Sequence, residues 1–346
     1  MARKNSASAT RRKRSGARGR STRIAAVDLG TNNCRLLVAE QNGDGFRVLD
    51  SYSRIVRLGE GLNATGALSE GAQTRALEAL QACRQKIDRM KADKVRCITT
   101  QACRAASNGQ DFIRKVRQET GLRLETISPK EEAKLALLGS LDLIDTSGEF
   151  ALVVDIGGGS TELSWVDANA VQRRGVDGCA TRPPILGWAS FPVGVVTLSE
   201  AFPEGGTDWY PKLVEHVADM LRKDAAAERF AHLFEKGRGY MIGTSGTVTS
   251  LTAVHPELPK YVRSHVDGQW LSRDQVVGAR DKLRFASPEE RASNPCIGPD
   301  RADLVLAGCA ILDAVWSIWP SDRLRAGDRG LREGVLLSLI HKPKKK

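Results

Sequence analysis

The sequence predicts an α/β fold built as two similar lobes around a cleft, and three observations lead there. RIAAVDLGTNNCRLLVAE (23–40) runs apolar strand, Asp28, Gly-containing turn, second strand, and ALVVDIGGGSTELSWVD (151–167) repeats that grammar, with Asp28 matched by Asp155 and Gly30 by Gly157. A duplicated supersecondary unit implies two lobes with their equivalent turns facing each other across a cleft. Strand-like and helical periods alternate along the chain. The 346 residues exceed a typical single domain and allow two lobes of roughly 130 to 180 residues each.

The elements follow in order. NGDG (42–45) is a strong turn signal, so FRVLDSYSRIV reads as a third strand returning along the second. Helical spacing runs from Ser69 to Met90, with Leu77, Leu80 and Ile87 on one face, before the strand KVRCITT at 94–100 and a helix over 110–119. LIDTSGEF (143–150) is the expected hinge, helices are expected over 301–318 and 330–341, and the Pro- and charge-rich stretch 255–300 carries no clear period. The expected organisation is a basic tail (1–22), lobe I (23–147, to which the closing helix 330–341 returns), lobe II (148–329) and a second basic tail (342–346).

The net charge of +11 points toward nucleic acid until its location is read. Residues 1–22 hold eight Lys or Arg and no acid, and the terminal HKPKKK adds four Lys, leaving the remainder near neutral. The tails are too polar to bury; they are expected to be disordered and to serve either as solubilising extensions or as weak attachments to polyanions. No run of apolar residues is long enough to span a bilayer, and the first 22 residues lack the apolar core of a signal peptide. Seven scattered cysteines without a C-x-x-C pair argue for a reduced, cytoplasmic setting. There is no GxxxxGK[ST] loop and no HExxH, and five histidines are too dispersed for a zinc site.

The chemistry concentrates in the two turns. Glycines at Gly30 and at Gly157, Gly158 and Gly159 let backbone amides approach an anion, and Thr31, Asn32, Asn33, Ser160 and Thr161 add polar side chains. An isolated turn of this kind is commonly structural; a matched pair in duplicated lobes reads as two phosphate clamps. Asp155, at the end of its strand, is suited to a hydrated Mg²⁺ or to capping the turn, with Asp28 the weaker metal candidate. In ISPKEEAKL, Ser128 fits an N-cap, Pro129 position N1 and Glu131 the reciprocal partner of a capping box, which leaves Glu132 free in the first helical turn. Glu162, just beyond the second turn, is the other carboxylate, with a pairing to Arg35 as its alternative.

Eight segments in order resemble the exopolyphosphatase/guanosine pentaphosphate phosphohydrolase family, from about Arg23 to Ile340: VDLGTNNCRLLV, TTQACRAASN, ISPKEEAKL, VVDIGGGSTEL, SFPVGVVTLSE, IGTSGTVTSL, RADLVLAGCAIL and GLREGVL. The resemblance implies the duplicated ribonuclease H-like lobes of the actin, sugar-kinase and Hsp70 superfamily. It implies Mg²⁺ (or Mn²⁺) as cofactor, inorganic polyphosphate or guanosine pentaphosphate as substrate, and a homodimer. It assigns general-base duty to the carboxylate before Ala133, here Glu132, phosphate contact to Arg104, and a phosphate-cradling loop to Gly243, Thr244, Ser245, Gly246 and Thr247. Two positions depart from the family pattern: Pro129 stands where glycine is usual, and Gln101 replaces a small hydroxyl. A proline there preserves the helix start and removes one backbone N–H from the phosphate's reach. The expected reaction is release of terminal orthophosphate. Guanosine pentaphosphate hydrolysis is the near alternative, and a kinase or an alarmone or polyphosphate sensor is the alternative of another class.

Overall fold

In the computed structural model the described residues are 21–234, 237–244 and 246–341. The expectations for residues 1–20 and 342–346, and that for Ser245, fall outside them.

Two sheets carry the molecule. The first holds β1 (Arg23–Leu29), β2 (Asn33–Asn42), β3 (Gly45–Ile55), β4 (Lys94–Thr99) and β5 (Leu124–Thr126) in the order β3-β2-β1-β4-β5. The second holds β6 (Phe150–Ile156), β7 (Thr161–Asp167), β8 (Ile185–Phe191), β9 (Gly239–Gly243), β10 (Trp270–Ser272) and β11 (Arg323–Ala326) in the order β10-β11-β9-β6-β7-β8. Laid over each other, β3-β2-β1-β4-β5 corresponds to β8-β7-β6-β9-β11, with two antiparallel pairings followed by parallel ones in both. The duplication legible at the two turns therefore extends through the whole sheet order, and the fold is a pair of ribonuclease H-like, actin-type lobes. β10 is an added edge strand in the stretch that had no clear period.

Alternation of side chains across each central strand explains the layers. On β1, Ala25, Val27 and Leu29 face the core under helices Glu70–Met90 and Gly109–Thr120, while Ile24 and Ala26 face the closing helix Leu331–Ile340 through Val335, Leu336 and Leu339. Buried on both faces, β1 reads as the near-continuous apolar run expected of a central strand. β6 does the same in lobe II: Leu152, Val154 and Ile156 enter the large core with helices Trp209–Arg222 and Val305–Ile318, and Ala151 and Val153 face the other way. Helix Val305–Ile318 starts later than the 301 that periodicity suggests, because residues 301–304 form a turn.

The helix Pro129–Gly139 lies between the sheets and crosses the closing helix at two glycines. A Cβ on Gly139 would sit 1.8 Å from the carbonyl oxygen of Gly330, and one on Gly334 1.8 Å from that of Leu135, so no larger residue permits this approach. Leu135 packs on lobe I, while Leu137, Leu138, Leu141, Leu143 and Ile144 pack on the core of lobe II. The changeover between lobes thus falls inside this helix, before the boundary expected at 147. The expected hinge is itself pinned by its neighbours: Asp145 pairs with Arg323 at 2.9 Å, and its backbone N–H donates to the Tyr240 hydroxyl at 2.7 Å.

Candidate active site

Both turns are two-residue hairpin tips closed by the same hydrogen bond. Gly30 N–H donates to the Asn33 carbonyl at 2.9 Å and Gly157 N–H to the Ser160 carbonyl at 2.8 Å. The glycines are explained by close approach, since none of Gly30, Gly157, Gly158 and Gly159 has a left-handed φ. A Cβ on Gly158 would lie 3.0 Å from both the backbone nitrogen and Cβ of Asn32, and one on Gly159 would lie 2.7 Å from the Thr31 hydroxyl. Gly194 presses from behind, where a Cβ would meet the Gly158 carbonyl carbon at 2.4 Å. The two tips therefore nest against each other, and the rim is closed by Arg57 on Asp303 at 2.9 Å and Gly61 N–H on the Glu200 carboxylate at 2.9 Å.

Around the nested tips lies a cavity of about 120 Å³. Asp28, Gly30, Thr31, Asn32, Asn33, Glu132, Asp155, Gly157, Gly158, Gly159, Ser160, Glu162, Thr244 and Gly246 line it, so most of the residues singled out in sequence converge there. Four do not. Thr161 is buried with its hydroxyl donated to the Val193 carbonyl at 2.6 Å, Gly243 is packed under Val248, and Thr247 sits against Gly308 beside a neighbouring cavity. Arg104 stays behind the wall, donating to the Ile127 carbonyl at 2.7 Å, the Gln101 side chain at 2.8 Å and the Glu132 carboxylate at 3.3 Å. The glutamine at 101 thus engages the arginine that the family resemblance assigned to phosphate.

Glu132 reaches the cavity from the first turn of helix Pro129–Gly139. Ser128 caps that helix, accepting from Glu131 N–H at 3.2 Å, and Pro129 occupies its first turn as the sequence predicts. The reciprocal half of the expected capping box is not formed: the Glu131 carboxylate turns instead to Arg96 at 3.5 Å. With Glu131 drawn to the outside, Glu132 is left buried, 7% exposed, in the wall of the cavity.

The electrostatics of the cavity are those of crowded acids. Burial pushes Glu132 well above the usual carboxylate range, Glu162 pushes it further, and Arg104 opposes both. Glu162 is also raised by burial, against the hydroxyls of Ser160 and Ser190, the latter donating at 2.9 Å. Asp155 is pushed up to about 7, by burial first and then by Glu162. Asp28 rises by burial while Arg35 and Arg332 hold it back.

Arg35 and Arg332 line the cavity and were not among the residues expected there from sequence. Each carried a signal: Arg35 occupies in the first hairpin the place of Glu162 in the second, and Arg332 lies inside GLREG. The anticipated pairing of Glu162 with Arg35 gives way to Ser190 as its partner.

Among the described residues, no group of three or more His, Cys, Asp or Glu side chains is arranged to enclose a metal ion. Asp28 and Asp155 nonetheless fit a partly hydrated hard cation, which takes one or two carboxylates and fills its remaining positions with water and substrate phosphate. Asp28 Oδ1 and the side-chain oxygens of Asn32 and Asn33 are buried with no hydrogen-bond partner among the described residues, a set of oxygen donors waiting for a ligand.

The model of the Ppx/GppA phosphatase family matches residues 37–343. The chain belongs to that family. An Aquifex aeolicus member has a crystal structure with a TM-score of 0.75 at 27% identity, covering 94% of this chain and 99% of that one. An exopolyphosphatase from Cytophaga hutchinsonii shares the fold at a TM-score of 0.82 and 24% identity, covering 93% of this chain and 99% of that one. A curated relative, the bifunctional 3-dehydroquinate synthase/phosphatase of Fusobacterium nucleatum, is 27% identical over 326 residues, 90% of this chain. The chain spans 46% of that relative's length. No helix among the described residues is long and apolar enough to cross a membrane.

Proposed function

We propose that the protein is a phosphoanhydride hydrolase that releases terminal orthophosphate from inorganic polyphosphate, with water as the acceptor. The observation that carries this reading is the convergence of two buried carboxylates, Glu132 and Glu162, on a cavity formed by two nested phosphate-type hairpin tips. Membership of the Ppx/GppA phosphatase family supports the reaction class.

In this reading the amides and polar side chains of the two tips hold the terminal phosphoryl group, and Arg35 and Arg332 balance the charge of the phosphates behind it. Glu132 is the general base. Its raised proton affinity brings it closer to the proton it must accept, and Arg104, paired with one carboxylate oxygen, fixes its orientation. The water oxygen attacks phosphorus, the P–O bond to the next phosphate breaks, the water proton passes to Glu132, and the shortened chain leaves with the electron pair. Glu162, held by Ser190, orients the water. Asp155 and Asp28 would hold Mg²⁺ or Mn²⁺, which supplies neutralisation of phosphate charge when bound.

A kinase would need a second-substrate pocket and a base aimed at its hydroxyl, whereas both carboxylates here face the phosphate turn. Guanosine pentaphosphate presents the same terminal phosphoryl group and is the second reading. The test is hydrolysis in ¹⁸O-labelled water without an added acceptor: labelled orthophosphate from polyphosphate is expected, and micromolar binding without labelled product would make the protein a sensor.

A further inference from the structure

Arg104 makes the one side-chain hydrogen bond to Glu132 among the described residues, yet its tightest contacts are with uncharged groups. Its guanidinium donates at 2.7 Å to the Ile127 carbonyl and at 2.8 Å to the Gln101 side-chain oxygen, whereas the contact with the Glu132 carboxylate is the longest of the three, at 3.3 Å. That is longer than the ~2.7–2.9 Å of a charge-assisted hydrogen bond. A guanidinium is a rigid planar fork, so fixing two of its donors fixes the direction of the third. The aim of Arg104 at Glu132 is therefore set by the two neutral acceptors rather than by the ion pair.

Both acceptors are themselves held. Ile127 is buried, and its N–H donates to the Thr99 carbonyl at 3.1 Å, tying it to the end of β4. Gln101 opens the short helix Gln101–Ala105 and Arg104 follows three residues later, so the two side chains share a face. Ala102 and Cys103 anchor that helix in the core of lobe I. Helix Gly109–Thr120 presses on it so closely that a Cβ on Gly109 would lie 2.1 Å from the Cys103 carbonyl oxygen. From this fixed base the glutamine stem reaches the tip of the second hairpin, where a Cβ on Gly159 would sit 3.1 Å from Gln101 Cγ. A shorter side chain at 101 would leave the second amino group of the fork, Arg104 Nη2, without its acceptor. The other charged neighbours of Glu132, namely Glu162, Asp155 and Asp28, are acids and offer its carboxylate no donor of this kind.

We propose that Gln101 is a positioning residue for hydrolysis: it holds Arg104 in place and, through it, turns the Glu132 carboxylate toward the attacking water. The assignment rests on the hydrolase reading above and deepens it, adding a residue that acts on the base from behind the cavity wall. The Ile127 carbonyl is the fixed arm of the bracket, and the Gln101 amide is the arm that a substitution can remove.

The experiment compares the full-length protein with two variants on tripolyphosphate and on long polyphosphate. Gln101→Met keeps the stem length and the helix preference but has no amide oxygen; Gln101→Glu keeps an acceptor at the same reach. Gln101→Met is expected to lower kcat about tenfold with KM within about twofold and the denaturation midpoint unchanged. Gln101→Glu should bring kcat back to within about threefold of the unaltered protein, at whatever KM its added charge sets. Arg104→Ala should lower kcat at least as far as Gln101→Met, and combining the two should cost nothing more, because the pair acts as one unit. A raised KM with kcat unchanged in Gln101→Met, equal losses of kcat in the Met and Glu variants, or losses that multiply in the double variant each overturn the proposal and leave the hydrolase reading intact. If the unaltered protein releases no phosphate from any substrate, the hydrolase reading falls, and the crystal structure of Gln101→Met then decides the bracket. Arg104 is expected to have left Glu132 there, and an unmoved ion pair overturns it.

Discussion

The two hairpins share a backbone and differ in charge. In the first, Asp28 faces Arg35 across the strand pair; in the second, Asp155 faces Glu162 at the same register. The consequence is visible in the acids themselves: burial, the largest cause, raises both aspartates, Arg35 holds both back, and Glu162 adds to burial at Asp155, which is pushed up to about 7. The duplicated scaffold thus sets a cation opposite the aspartate in one hairpin and a second carboxylate opposite it in the other. Packing differs as well: a Cβ on Gly30 would make an ordinary 3.6 Å contact, whereas one on Gly157 would lie 2.9 Å from the Ser160 carbonyl oxygen.

The largest effects should come from the two buried glutamates of the cavity, Glu162 on the second hairpin and Glu132 on the helix Pro129–Gly139. Under the proposed reading, in which both act on water rather than on binding, Glu132→Gln and Glu162→Gln are each expected to lower kcat by roughly two orders of magnitude with KM changed little. Equal losses in kcat and in binding would assign them to the clamp. The opposite split is expected from Arg35→Ala: KM for polyphosphate up about tenfold and kcat within a few-fold. A fall in kcat alone would dissolve the contrast between the two hairpins.

The glycines give a test of nesting. Gly158→Ala would set a Cβ only 3.0 Å from the Asn32 backbone nitrogen, an overpacking cost of about 1–3 kcal/mol, and should lower kcat/KM about tenfold, while Gly30→Ala should stay within about 1 kcal/mol in chemical denaturation. If Gly30→Ala is the worse of the two, the tips are not packed as described.

Asp155 also predicts a pH dependence of stability. Its carboxyl rises from an ordinary 3.8 to about 7, so between those values the folded protein binds more protons than the unfolded chain. Stability contributed by this group therefore falls as pH rises through that window. Metal-free Asp155→Asn should gain in Tm over the unaltered protein as pH goes from 5 to 8, and Mg²⁺ should raise the Tm of the unaltered protein more at pH 8 than at pH 5. A Tm difference between the two proteins that does not change with pH would refute the acid cluster.

The smallest effect belongs to the residue beside the proposed base. Because Glu131 pairs with Arg96 on a part-exposed face instead of closing a capping box, Glu131→Ala should cost no more than about 0.5 kcal/mol and leave kcat unaltered, against about 1 kcal/mol for Ser128→Ala. Loss of turnover in Glu131→Ala with none in Glu132→Gln would move the base by one position.

Local chemistry was legible in the sequence by itself. The strand runs at β1 and β6, the turn at 42–45, the Ser128 cap with Pro129 behind it and the matched Asp-Gly turns are all set by neighbours a few residues away, and the duplication carried the two-lobed architecture with them. Tertiary structure decided what depends on distant partners. Arg104, expected at the phosphate, has Glu132, Gln101 and the Ile127 carbonyl as its partners in the fold. Glu131 left its box for Arg96 on β4, and Ser190 on β8, which opens the segment SFPVGVVTLSE but was given no role there, came to hold Glu162. Hydrogen bonds within a turn are written in adjacent residues; charge compensation and close packing are settled only when remote segments meet, since a buried charge takes whichever partner the fold brings within reach.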